Sequence, residues 1–156
     1  MRIYEEQAKG SYIYWMDETS VSLWSNIKRK TWTDGTITLP FQGQGNFKSH
    51  TVIGAIGGND NTDFRFVYQV KQNTKVETVK EFLEHLLHQP VHGRPIKIVM
   101  DNHATHKSGT IVDYLGEKGA ESIFLPAYSS TLNPVERVWS LFKHEWVKEL
   151  AKVKVE

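Results

Sequence analysis

The pattern of apolar and polar positions changes partway along the chain. In the first half the apolar runs are short. Tyr12–Met16 (Y-I-Y-W-M) predicts a strand that a carboxylate pair, Asp17-Glu18, closes. Ser20–Trp24 (S-V-S-L-W) alternates and predicts a second short strand. A Thr-Asp-Gly turn follows at 33–35, and the Gly-rich stretch 40–49 predicts a loop or hairpin tip. Thr51–Ile56 and Phe64–Val70 predict two more strands. The turn Gly57–Asn61 between them is short enough to make them antiparallel neighbours. This half reads as a β-meander. Residues 1–11 are polar and read as the tail of something upstream.

In the second half the period lengthens. Val76, Val79, Phe82, Leu83, Leu86 and Leu87 recur at helical spacing within Lys75–His88, with Glu77, Lys80, Glu81 and Glu84 opposite, and Pro90 and Gly93 end the pattern. Ile96–Asn102 (I-K-I-V-M-D-N) is a short Ile/Val run of the kind buried on both faces of a parallel sheet, and it stops abruptly at Asp101. Lys107–Lys118 predicts a second helix with Ile111, Val112 and Leu115 inward. Glu121–Leu125 predicts the last strand, and Asn133–Leu150 the last helix, with Val135, Val138, Trp139, Phe142 and Trp146 on one face. Strand–helix–strand is a crossover and implies parallel pairing. The order predicts an α/β domain with a mixed five-stranded sheet flanked by helices, the ribonuclease-H-like (retroviral-integrase-like) arrangement. We expect residues 1–10 to be an upstream linker remnant, 11–150 one domain, and 151–156 a tail.

Composition narrows the class without naming a function. At 156 residues, one domain with a substantial core is expected. No apolar run approaches the ~20 residues of a membrane span, so no membrane partner is expected. No signal peptide is visible at the start. The absence of cysteine excludes disulfides and thiolate metal sites and fits a reducing cytoplasm. A net charge of +1 neither suggests nor excludes nucleic acid.

Three acids carry the candidate chemistry. Asp17 and Asp101 stand at predicted strand ends, at the sheet edge where open α/β folds place ligands. Glu136 falls in the first turn of the last helix, with 34 residues between it and Asp101. Taken singly each has a plainer reading. An aspartate after a strand is a common turn former. Asn133-Pro134-Val135-Glu136 is a helix start, with Asn as N-cap and Glu in a capping-box position. Taken together, three converging carboxylates repel one another and call for a hard, oxygen-loving cation: Mg²⁺, with Mn²⁺ as substitute. Two such ions ~3.5–4 Å apart would activate a water or 3′-hydroxyl and stabilise the leaving oxygen of a phosphoryl displacement.

M-D-E-T-S at 16–20, V-M-D-N-H-A-T-H-K-S at 99–108 and L-P-A-Y-S-S-T-L-N-P-V-E-R-V-W-S at 125–140 together resemble the catalytic domain of a DDE transposase of the mariner-type superfamily, in its bacterial insertion-sequence branch. The resemblance spans roughly 11–146, and its third motif is the most specific. It implies Asp17, Asp101 and Glu136 as a catalytic triad holding two metal ions. It implies duplex DNA as partner, with cleavage at transposon ends and 3′-hydroxyl attack on target DNA, typically at TA. It also implies a homodimer during reaction and a place on the bacterial nucleoid. The resemblance also implies N-terminal helix-turn-helix modules in full-length relatives, and this sequence is expected to begin at the catalytic domain without them. An excised piece, the downstream frame of a two-frame element, or a decayed copy would each account for that. The alternative function is then a non-catalytic DNA-binding remnant. Ribonuclease-H-like RNA hydrolysis shares the fold and metals but not the Asn-Pro-Val-Glu motif.

Around the triad, Asn102 and His103 are candidates to hydrogen-bond a ligand carboxylate, water or phosphate, or to cap the loop. His106 and Lys107, at a predicted helix start, are candidates for phosphate. Lys28, Arg29, Lys30, Lys48 and His50 are candidates for backbone contact with DNA, as are Arg137, Lys143, His144 and Lys148 on the last helix, unless they are simply solvated. Asn133 completes the set. Glu18, on the other face of its strand from Asp17, reads as structural or supporting, and Trp139 as core.

Overall fold

The computed structural model describes residues 2–21, 50–58 and 63–152, with side chains described through Glu145. Its elements are α1 (Arg2–Ala8), β1 (Tyr12–Val21), β2 (His50–Gly57), β3 (Arg65–Lys71), α2 (Val76–Leu87), β4 (Ile96–Met100), α3 (Gly109–Glu117), β5 (Ala120–Phe124), a 3₁₀ turn at Ser130–Leu132, and α4 (Val135–Lys152). The sheet order is β3-β2-β1-β4-β5. β1, β2 and β3 pair antiparallel; β1–β4 and β4–β5 pair parallel. This is the expected ribonuclease-H-like sheet: a meander followed by two crossovers. No described helix is long and apolar enough to cross a membrane.

Strand alternation sorts the core into two faces. Tyr12, Tyr14 and Met16 of β1, with Ile98 and Met100 of β4, pack on Val79, Phe82, Leu83 and Leu86 of α2 and on Ile111 and Leu115 of α3. Each fully buried side chain of this size contributes about 1.5–3 kcal/mol. These are the helical positions the periodicity marks, except that Val112 is exposed. The opposite face carries two smaller clusters. One joins Ile13, Val99 and Ile123 to Ile3 of α1; the other joins Val21, Val52 and Ile56 to Val135 and Trp139 of α4.

Two expectations change. Residues 2–8, read as a polar tail, form α1. Its anchor is tertiary: Ile3 is buried, Arg2 pairs with Glu121, and Lys97 Nζ lies 2.5 Å from Glu121 and 3.5 Å from Glu6. Ser20 and Val21 do not begin a second strand. β1 runs on through Asp17 to Val21, because β2 supplies partners as far as Val21–His50. Asp17 therefore sits within its strand, while Asp101 does lie just past the end of β4. The turn at 33–35, the stretch 40–49, Trp24, Trp32, Lys28, Arg29, Lys30 and Lys48 lie outside the described residues, as do the side chains of Trp146 and Lys148.

Gly54 of β2 is the rung opposite Asp17. A Cβ there would stand 2.5 Å from the tip of the Trp139 ring, so its absence makes the space in which α4 docks. We expect Gly54→Ala to destabilise the fold by about 1–3 kcal/mol, the usual range for overpacking, read as a lowered urea midpoint at unchanged m-value.

Candidate active site

β1 and β4 pair only as far as Trp15–Val99. Asp17 and Asp101 each stand two residues beyond that last rung, where the strands diverge and other groups must hold them. Asp17 lies on the α4 face, and its Oδ2 accepts the indole N–H of Trp139 at 3.3 Å. Glu18 lies on the opposite face. Asp101 Oδ1 accepts two hydrogen bonds: the His103 backbone N–H at 3.0 Å and His106 Nδ1–H at 2.6 Å. The other His106 ring nitrogen donates to Glu18 Oε1, also at 2.6 Å. His106 is only 1% exposed. Burial alone would lower its pKa, but hydrogen bonding and charge from Glu18 and Asp101 outweigh it and push the ring up to about 9. At neutral pH it is an imidazolium donating from both nitrogens.

This corrects one expectation. His106 is not a phosphate contact at a helix start. α3 begins at Gly109 with Ser108 as its cap, and both His106 ring nitrogens are already taken by carboxylates. Lys107 is exposed, its Nζ 5.9 Å from the centre of the Phe124 ring. Asn102 and His103 are exposed and, with Asp101, line an open groove of about 380 Å³. Its far wall is Leu125–Ser130, where Tyr128 takes φ 59° and stands fully exposed.

Glu136 arrives from above on the first turn of α4. Asn133 is buried and does two things there: its Oδ1 accepts the Val135 N–H at 3.1 Å, and its Nδ2 donates to the Met16 carbonyl at 3.0 Å. The start of α4 is thus latched to the residue before Asp17. The capping box expected from the sequence is only half present. The Asn133 backbone N–H, which Glu136 would accept, donates instead to Ser130 O at 2.9 Å. Glu136 is exposed, as is Arg137 beside it. His50 and His144 are exposed and Lys143 half-buried.

Burial raises the Asp17 carboxyl to about 7; a hydrogen bond from the Glu18 backbone opposes this, while the charges of Glu18, Glu136 and Asp101 add to it. Among the described residues no Lys or Arg forms an ion pair with Asp17, Asp101 or Glu136. Nor do any three His, Asp or Glu side chains there stand close enough together to hold a metal ion between them. The arrangement is an open acidic cluster in which, among the described residues, His106 is the one cation paired with the acids, set against the carboxylates of Asp17, Glu18, Asp101 and Glu136. Its all-oxygen donors fit a hard divalent cation whose shell water and phosphate would complete.

Fold and site together define a ribonuclease-H-like domain with its acids gathered where the central sheet divides. Comparison with known proteins narrows this. The family model described as DDE superfamily endonuclease matches residues 12–155, and the chain belongs to that family. Among solved structures it is similar to the Mos1 transposase paired-end complex with left transposon end (TM-score 0.65, 16% identity, over 99% of this chain and 52% of that one). It is similar to the Mos1 mariner paired-end complex with Mn (TM-score 0.65, 16% identity, 92% and 45%). It is also similar to a simian T-cell lymphotropic virus intasome in complex with PP2A regulatory subunit B56 gamma (TM-score 0.60, 15% identity, 92% and 43%). At these identities the likeness is one of fold, and the chain spans about half the length of the first of them. No curated protein matches it.

Two residues next to the acids were not legible as such. Trp139, read as core, is both core and the donor to Asp17; its place one turn beyond Glu136 was the available signal. The Glu18–His106 bond joins positions 88 apart and has no local signature.

Two stability predictions follow from the charges in the metal-free protein. The Asp17 carboxyl is raised above its unfolded value of 3.8, so ionising it costs folding free energy, and the cost is fully present above pH 7. Asp17→Asn should raise stability at pH 8 by on the order of 2 kcal/mol, the gain fading as pH falls and vanishing near pH 4. His106 is raised above 6.5, so its stabilisation is complete below pH 6.5 and is lost as pH rises through about 9. His106→Ala should cost about 3–5 kcal/mol at pH 6 and progressively less above pH 9. Urea melts across this pH range read both.

Proposed function

We propose that this chain is the catalytic body of a transposase, spanning residues 11–150. In this reading it cleaves DNA phosphodiesters at transposon ends and joins the freed 3′ ends to target DNA, TA being the expected site. The observation that carries the reading is the cluster of carboxylates at the divided edge of the sheet, with no described Lys or Arg paired to Asp17, Asp101 or Glu136, in a chain of the DDE endonuclease family. Asp17, Asp101 and Glu136 would hold two Mg²⁺ or Mn²⁺ ions, which when bound would activate the attacking hydroxyl and stabilise the leaving oxygen. The solved Mos1 complexes with transposon-end DNA and with Mn support the metal and DNA assignments by likeness.

The chain's own residues prepare this chemistry. Trp139 holds the Asp17 carboxylate, and the Asn133 latch brings Glu136 over the end of the sheet. The groove between Asp101–His103 and Leu125–Ser130 is open enough to admit a backbone phosphate, with Asn102, His103, Lys107 and Arg137 exposed around the site to meet DNA. Lys28, Arg29, Lys30 and Lys48 remain candidates for more distant backbone contact. Joining two ends requires two such sites, most simply a two-fold dimer, acting at the nucleoid.

Nicking of supercoiled plasmid tests the reading. We expect nicking in Mn²⁺ or Mg²⁺ and none in EDTA, with Asp17→Ala, Asp101→Ala and Glu136→Ala each at least about 100-fold slower. Metal-dependent nicking that survives Asp101→Ala would sink it. DNA retention without turnover in any metal would favour the non-catalytic remnant.

A further inference from the structure

The metal reading leaves unused one residue in each of the first two acidic motifs: Glu18, next to Asp17, and His106, five past Asp101. The structure joins them. Backbone pairing between β1 and β4 has stopped at Trp15–Val99, so nothing in the sheet fixes Asp101 relative to β1. On its other side Asp101 follows Met100, whose carbonyl accepts the Leu125 N–H at 2.8 Å. Among the described residues the side-chain link across the gap towards β1 is a bridge, Glu18 Oε1 to His106 to Asp101 Oδ1, with 2.6 Å at each end.

We propose that Glu18 and His106 form a positioning pair that aims the Asp101 carboxylate at a divalent cation; this rests on the metal-site reading above. Exposure is uneven along the bridge: the side chains of Asp101, His106 and Glu18 are 42%, 2% and 15% exposed. The anchoring end is closed and the working end open. A bridge serving packing alone has no need of that asymmetry. Both donors to Asp101, His103 N–H and His106 Nδ1–H, fall on Oδ1. That fixes the rotation of the carboxylate and leaves Oδ2 with no protein donor among the described residues. A single free oxygen held in a set direction is what one-point coordination of a hard cation needs, and bonds of this second kind are how proteins orient metal ligands. Glu18 acts only through His106, by fixing the ring and strengthening its hold on Asp101.

The test is Mn²⁺ affinity, read by electron paramagnetic resonance of free Mn²⁺ during titration of the whole chain, with folding checked by circular dichroism. His106→Ala should bind Mn²⁺ about 10–100-fold more weakly. His106→Asn, whose Nδ2 can donate to Asp101 where Nδ1 did, should recover most of that loss. Glu18→Ala keeps the ring on Asp101 but removes its anchor and should fall between the two; it decides the matter if His106→Ala does not fold. Asp101→Ala is the control. If it abolishes binding while folded His106→Ala and Glu18→Ala bind as tightly as wild type, the positioning pair is overturned and the metal site stands. If Asp101→Ala leaves Mn²⁺ binding untouched, the metal-site reading fails and the pair's role fails with it.

Discussion

The rest of the site depends on one electrostatic constraint: carboxylates are gathered where the sheet has stopped holding its strands together. Within a ladder, backbone bonds fix the spacing of neighbouring strands. Past Trp15–Val99 that device is gone between β1 and β4, and the groups on either side repel. One side-chain bridge, Glu18 to His106 to Asp101, spans the gap the ladder leaves, and two further bonds, Trp139 to Asp17 and Asn133 to Met16, tie the start of α4 to β1. A neutral hydrogen bond adds only about 1 kcal/mol net, and one to a charged group about 1.5–3. The acids are therefore held by modest forces, backed by the burial of Val135 and Trp139 behind them.

Much of this converges on the start of α4. Asn133, Glu136 and Trp139 follow at intervals of three, and each does something different. Asn133 ties the helix to β1 and caps it, Glu136 stays free, and Trp139 fills the space over Gly54 while touching Asp17. The capping bond that Glu136 does not make matters here. A glutamate spent on its own helix could not also face a cation, and the 3₁₀ turn at Ser130–Leu132 relieves it by supplying the Ser130 carbonyl to Asn133.

What the sequence made legible follows from the range of the forces involved. The α2 stripe and the strands at Thr51–Ile56 and Phe64–Val70 were readable because burial repeats at a local period, and all three stand in the structure with ends shifted by one residue. The position of Asp101 past β4 was readable because a polar residue cuts short an apolar run. α1 was not, since seven residues with a single buried side chain carry no period, and so short a helix persists only through distant partners such as Glu121. The length of β1 was set by β2, not by its own residues. His106 looked like a surface residue near a helix start. Only the fold brings a glutamate from 88 residues away to bury it.

The uneven ends of the sheet have a consequence for access. Beyond Trp15–Val99, β1 continues with β2 and β3 beside it, while β4 stops at Met100 and β5 at Phe124. The five-stranded platform steps down to three, and the acids lie along that step. A step is a ledge and not a hole. Among the described residues it is bounded on one flank and open along the other, a shape across which a long polymer can be laid sideways. A pocket reached through a mouth would accept only a free end or a small molecule.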